Sequence, residues 1–165
     1  MKNTILIFIS LLFLTGCMEE KEVTSLQDRG GIKYEINSET PFTGRLVEKY
    51  ENGQKKFEEH YKDGKLDGLW TNWYENGQKW YEGNYRNGEE EGFSVEWHEN
   101  GQKYQEGNLK NGKEEGLWTV WFLKGQKWSE GNYKDGKKEG LWTWWDEEGN
   151  VTKTKTYKDG KLVNP

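Results

Sequence analysis

The chain has one cysteine, Cys17, and two prolines in 165 residues. A single cysteine excludes an intrachain disulfide. Leu, Ile and Val are scarce beyond the first fifteen residues, which excludes a thick aliphatic core. Histidine occurs twice. His60 stands where an internal repeat elsewhere has Asn84, Asn108 and Asn132. His98 stands where it has Tyr50, Tyr74 and Phe122. Both read as drift within the repeat. No Ser, Thr or Cys has a setting that would activate a nucleophile. Positive charge is also short. Lys2 is the only charged residue before Cys17, so the chain from Cys17 onward carries 23 basic and 29 acidic residues, a formal charge of −6. Phosphate backbones need a basic stripe, so nucleic acid is not an expected partner. Anionic head groups are matched no better.

What the chain has instead is 21 Gly, 10 Trp and 9 Tyr, with 32 % charged residues. Low hydrophobicity with high charge points toward disorder. The aromatic residues point away from it, because each buries a large area. The glycines are periodic. One series is Gly53, Gly77, Gly101, Gly125 and Gly149; a second is Gly64, Gly88, Gly112, Gly136 and Gly160; a third is Gly44, Gly68, Gly92, Gly116 and Gly140. All three advance by 24 residues, the mark of a repeat architecture.

Each repeat contains two turn signals, Asn76-Gly77 and Asn87-Gly88 in the second copy. Such pairs favour two-residue type I′ hairpins, whose central residues both need positive φ. The runs between them are rich in Trp, Tyr and Thr, as strands prefer, and too interrupted for helices. The expected fold is therefore all-β: an elongated single-layer antiparallel meander of about five 24-residue double-strand repeats, 44–67, 68–91, 92–115, 116–139 and 140–163. Ten strands at about 4.8 Å each would extend roughly 48 Å. A turn at Asn76-Gly77 predicts Trp73 opposite Trp80 and Trp70 opposite Gly83. The period extends this to Trp97 opposite Tyr104, Trp121 opposite Trp128, and Trp118 over Gly131. A turn at Asp63-Gly64 predicts Leu66 beside Tyr61 and Trp70 beside Phe57. In the last copy Lys155 replaces the strand glycine, and after Val151 Thr and Lys alternate over 152–156; lysines suit a protected terminal edge.

Residues 1–16 read as a signal peptide: Lys2, then an apolar run from Ile5 to Leu14, too short for a comfortable span. Leu14-Thr15-Gly16-Cys17 resembles a bacterial lipobox. That resemblance implies cleavage before Cys17, lipidation of its thiol and a membrane-anchored mature chain, with Met18 compatible with outer-membrane delivery. Several acyl chains on one residue anchor firmly, at about 0.8 kcal/mol per buried CH₂. Residues 17–43 read as a tether followed by cap strands. Gly30-Gly31 is a turn, and Ile32, Tyr34 and Ile36 alternate with polar residues.

The strings YENGQKKFEEHYKDGKLDGLW at 50–70 and YENGQKWYEGNYRNGEEEGF at 74–93 resemble the bacterial MORN-variant repeat. Proteins of that kind include YwqK-like antitoxins. The resemblance covers roughly 41–163 and implies stacked hairpins.

No enzyme, cofactor or metal centre is expected. The acidic turn Glu89-Glu90-Glu91 lacks the alternating ligand spacing of a calcium loop. A surface that repeats itself should offer no unique concave pocket. The expected role is binding. One reading is a protein-interaction scaffold, as periodic solenoids provide; another is a glycan module stacking sugars on aromatic rows; a further one, implied by the resemblance, is an antitoxin-like neutralising partner of a toxin. The candidate residues are Trp73, Trp80, Trp97, Tyr104, Trp121 and Trp128, presented by turns at Asn76, Gly77, Gly101 and Gly125. The partners expected are a membrane through Cys17 and an unidentified protein, with surface glycan as the alternative.

Overall fold

A computed structural model describes residues 21–163. The readings of the signal peptide and of Cys17 lie outside them. The described chain contains fifteen strands and no helix. They are β1 (Glu22–Val23), β2 (Gln27–Arg29), β3 (Ile32–Tyr34), β4 (Gly44–Lys49), β5 (Lys55–Lys62), β6 (Lys65–Trp73), β7 (Lys79–Arg86), β8 (Glu89–Glu90), β9 (Gly92–Trp97), β10 (Lys103–Lys110), β11 (Lys113–Trp121), β12 (Lys127–Lys134), β13 (Lys137–Trp145), β14 (Val151–Lys158) and β15 (Lys161–Leu162). Ten long strands, β4–β7 and β9–β14, pair consecutively and antiparallel in a single sheet. The expected meander is what forms.

The two turn families differ. At Asp63-Gly64 both residues take positive φ, 49° and 77°. Asn87-Gly88, Asn111-Gly112, Asp135-Gly136 and Asp159-Gly160 do the same, so these are the two-residue turns expected. Asn76-Gly77 is not one. Only Gly77 has positive φ, 84°. Gly77 N–H donates to the Tyr74 carbonyl at 2.9 Å, and Tyr74 N–H to the Gln78 carbonyl at 2.7 Å. This is a three-residue loop, a turn followed by a left-handed glycine. The extra residue moves the local register. Trp73 pairs with Lys79, Trp97 with Lys103 and Trp121 with Lys127, not with Trp80, Tyr104 and Trp128. Beyond the loop the expected register returns, with Trp70 opposite Gly83 and Thr71 opposite Glu82.

A second irregularity lies near the other edge. Leu66 pairs with Tyr61 as expected, but Trp70 pairs with Glu59 rather than lying beside Phe57. Three residues, Asp67 to Leu69, stand against His60 alone. Such a bulge bends the strand and strengthens its twist. Equivalent shifts occur between β10 and β11 and between β12 and β13.

Neighbouring repeats are stapled at both edges. Asn52, Asn76 and Asn100 donate their side-chain N–H to the carbonyls of Glu75, Glu99 and Leu123, at 2.8, 2.9 and 2.7 Å. Where the fourth copy has Lys124, its ammonium meets Glu147 at 2.8 Å. At the opposite edge the carboxylates of Asp67, Glu91, Glu115 and Glu139 accept from the backbone N–H of Asn87, Asn111, Asp135 and Asp159. Hydrogen bonds to a charged acceptor are the stronger kind.

The one cluster of buried apolar residues lies at the N-terminal end of the described chain. Phe42, Leu46 and Tyr61 form it, with Val23, Leu26, Phe57 and Leu66 packed around them. The segment read as a tether is docked over part of its length. Glu22–Val23 pairs in parallel with Arg45–Leu46, and Arg45 bridges Glu22 and Glu58 at 3.0 and 2.9 Å. The β2–β3 hairpin packs on the first repeat, with Lys33 N–H donating to the Gly64 carbonyl at 2.8 Å. At the other end β15 covers part of β14.

Candidate functional site

Alternation gives the sheet two different faces. One carries Thr71, Trp73, Lys79 and Glu82 and their counterparts 24 residues on. There the lysine of each hairpin lies over the tryptophan of the next. Lys55 is 5.4 Å from the ring centre of Trp73, Lys79 is 5.9 Å from Trp97, Lys103 is 5.6 Å from Trp121, and Lys127 is 5.9 Å from Trp145. Each lysine also pairs with a glutamate three residues on: Glu58, Glu82, Glu106 and Glu130. Cation–π contacts at partly exposed sites contribute about 0.5–1 kcal/mol each. Trp73, Trp97 and Trp121 are thus half-buried rungs, each with a lysine over its ring. Lysine two residues after the loop glycine was the signal for them in the sequence.

Trp80, Tyr104 and Trp128 lie toward the other face and are 39 %, 40 % and 44 % exposed. Trp80 rests against Tyr81 with ring centres 6.0 Å apart. Tyr104 and Trp128 line a groove on that face. The six candidate residues therefore form two rows, not cross-strand pairs.

The groove face is organised by tryptophans lying over glycines. Trp118 covers Gly107 and Trp142 covers Gly131. Each ring leans toward the strand before it, so Trp118 does not lie over its register partner Gly131. The indole N–H groups donate to the Asn108 and Asn132 carbonyls, both at 3.1 Å. Tyr133 stands edge-on between the two rings, its centre 6.1 Å from that of Trp118 and 5.0 Å from that of Trp142. Trp70 departs from this order. Its preceding neighbour is Glu59, not glycine, and it instead meets Tyr81 and Tyr85 at 5.5 and 5.2 Å.

The third repeat breaks the row. Ser94 takes the place of Trp70, Trp118 and Trp142, and Leu109 that of Tyr61, Tyr85, Tyr133 and Tyr157. Without an indole at 94, Gly83 is covered instead by the Tyr81 hydroxyl, which donates to Glu90 at 2.6 Å. A groove of about 430 Å³ runs along this face past the missing bulk; it is one of several open concavities of similar volume. Ser94, Glu96, Gln105 and Ser129 are among the polar residues lining it, and Tyr81 and Trp118 stand on its sides. Gln105 donates to Glu96 at 2.7 Å. Glu90, Glu114 and Lys138, at equivalent positions in successive repeats, also line it.

Burial, then the hydrogen bonds to Glu90 and Tyr85, push the Tyr81 hydroxyl well above the ordinary phenol range. Burial, then Glu114, raises Tyr133 as well. Lys138 moves the other way: burial, then the nearby Lys153, lowers its ammonium from the usual lysine value. Its Nζ lies 4.0 Å from the ring centre of Trp142, 5.2 Å from Trp144 and 5.5 Å from Tyr157. Among the described residues no group of His, Cys, Asp and Glu could hold a metal ion, and no helix is long and apolar enough to cross a membrane.

The MORN repeat variant matches this chain five times, at residues 42–63, 66–87, 90–111, 114–135 and 138–159. No curated protein matches it. The chain belongs to the MORN repeat variant family. Such repeats generally serve as protein- or membrane-interaction modules.

Proposed function

We propose that this MORN-variant chain is a lipid-anchored scaffold of the cell envelope that binds another protein through its sheet. The observation that carries the reading is the row Leu69, Phe93, Leu117 and Leu141. These residues recur at one register position and are 38 %, 48 %, 52 % and 59 % exposed. Aligned apolar side chains on a rigid sheet favour a protein partner, and a repeat array presents them at constant spacing. Anchoring rests on the Leu14-Thr15-Gly16-Cys17 string, and an outer membrane is the favoured site where the cell has one. The acidic balance favours a protein partner over an anionic bilayer for the repeats themselves. A glycan module has less support, because lysines cover the Trp73, Trp97 and Trp121 rings on which sugars would stack. An antitoxin-like role would use the same surface, but a lipid anchor would keep it from a cytosolic toxin.

Two measurements test the proposal. Cys17→Ser leaves the chain unprocessed and unlabelled by a fatty-acid analogue; normal labelling would remove the anchor. Pull-down from envelope extract recovers a protein that Leu117→Asp releases. Equal recovery by the variant would remove the exposed row from the interface.

A further inference from the structure

We infer that the groove at the third repeat receives an arginine or lysine side chain from a basic segment of the partner protein. This rests on the scaffold reading and gives its partner a chemistry.

Three observations converge on it. First, the groove passes the place where two bulky columns are interrupted, by Ser94 and by Leu109, and both residues line it. The gap is flanked by the rings of Tyr81 and Trp118, and flat aromatic surfaces attract a cation held over them. Second, the chain already places an ammonium on this face. Lys138 lies against Trp142, with Trp144 and Tyr157 beyond. One repeat earlier the residue at that position is Glu114, beside Trp118 and Tyr133. The aromatic surround persists while the charge is reversed, so an incoming cation would find a carboxylate where Lys138 finds none. Third, the charges are unequal. Glu90, Glu96 and Glu114 line the groove against Lys138 alone. Glu90 and Glu96 already accept from Tyr81 and Gln105, whereas Glu114 makes no ion pair among the described residues. A guanidinium fits best, since its planar fork can stack on a ring while donating to a carboxylate.

The surface itself tells a basic partner from an acidic one. An acidic side chain entering here would meet three carboxylates, and like charges brought together in a partly dry site are costly. An apolar side chain would leave Glu114 desolvated without a partner.

The probe is an acetylated, amidated tri-arginine peptide, titrated into the full chain while the tryptophan indole N–H resonances are followed. The expected result is a saturable shift of Trp118, with Trp73 and Trp97 on the opposite face unmoved. Tri-glutamate should give no such shift. Glu114→Gln should weaken binding about tenfold, the loss of one charge-assisted contact. Ser94→Trp restores the repeat's own residue and fills the groove; it should abolish the shift while the remaining indole spectrum stays native. Wild type and Ser94→Trp are also compared in the envelope pull-down. A tri-arginine shift that survives Ser94→Trp, or equal binding of tri-glutamate, overturns the groove assignment. Equal recovery of one partner by wild type and Ser94→Trp overturns it too, while the scaffold reading stands. Recovery of no protein by either overturns both.

Discussion

Gly107→Ala tests the tryptophan-over-glycine packing most directly. Gly107 does not have positive φ, so the substitution asks only about space. An added Cβ would stand 2.2 Å from Cε2, 2.3 Å from Cδ2 and 2.6 Å from Cγ of Trp118. Carbon atoms pack at about 3.5–4.0 Å, so the ring would have to retreat by more than about 1 Å. It borders the groove, so a retreat is possible only at the expense of its other contacts. Trp118 is 8 % exposed, its N–H is bound to Asn108, and Tyr133 stands on its far side. Overpacking costs about 1–3 kcal/mol and the strained hydrogen bond about 1 kcal/mol, so the expected loss is roughly 2–4 kcal/mol. Gly83→Ala is the control. Its Cβ would meet the outer edge of the Tyr81 ring, Oη and Cζ, and the Glu90 carboxylate; the ring edge can swing toward the adjoining groove, so the cost should be smaller, about 1 kcal/mol. Urea unfolding measures both as midpoint shifts at unchanged slope. In a Trp118→Ala background the Gly107→Ala penalty should vanish, because alanine serves a strand better than glycine once the ring is gone. An unchanged penalty in that background, or equal costs for the two glycines, would refute the packing argument.

Three further expectations follow from the repeat geometry. Asn76→Ala removes the bond to the Glu99 carbonyl and the bond from the Gln78 N–H. It should cost about 1–2 kcal/mol and speed hydrogen exchange at the loops of both repeats; unaltered exchange at Glu99–Gly101 would show that the staple carries no load. Glu59 has its carboxyl pushed above the ordinary value of 4.5, first by burial. Its contribution to stability is therefore full below pH 4.5 and lost as pH rises through the raised value. Glu59→Gln should then raise the urea midpoint at pH 7 but not at pH 4; the same gain at both would mean ionisation is not the cause. A chain ending at Glu139 loses Trp142 and leaves β12 as an open edge. It should self-associate by light scattering, since Lys153 and Lys155 no longer guard the terminus; a well-behaved monomer would contradict the capping role.

The strand count and the Asp63-Gly64 type of turn were legible because they depend on local torsional preference and a three-fold glycine period. The loop at Asn76-Gly77 was not. The dipeptide accepts either a two-residue turn or a turn with a left-handed glycine. The latter form places the Asn76 amide on the Glu99 carbonyl of the next repeat, a contact 23 residues away. That one choice moved Trp73 off Trp80 and onto Lys79. It separated the six aromatic candidates into a lysine-covered row and a row toward the opposite face, where Tyr104 and Trp128 line the groove. The register between β5 and β6 shifts at a bulge of Asp67 to Leu69, whose mark in the period is the third glycine series, with Gly68 at its centre in positive φ; a strand glycine signals a bulge without fixing how many residues it takes up.

The sequence by itself determined an all-β repeat of fixed length, its hairpins and the side-chain alternation, because these follow from torsional preference and periodicity. Only the tertiary structure decided toward which glycine each tryptophan leans. It also decided that a groove runs past Ser94 and Leu109. Both are questions of volume between strands far apart in the chain, and a residue's own identity does not reveal which neighbour will fill, or fail to fill, the space beside it.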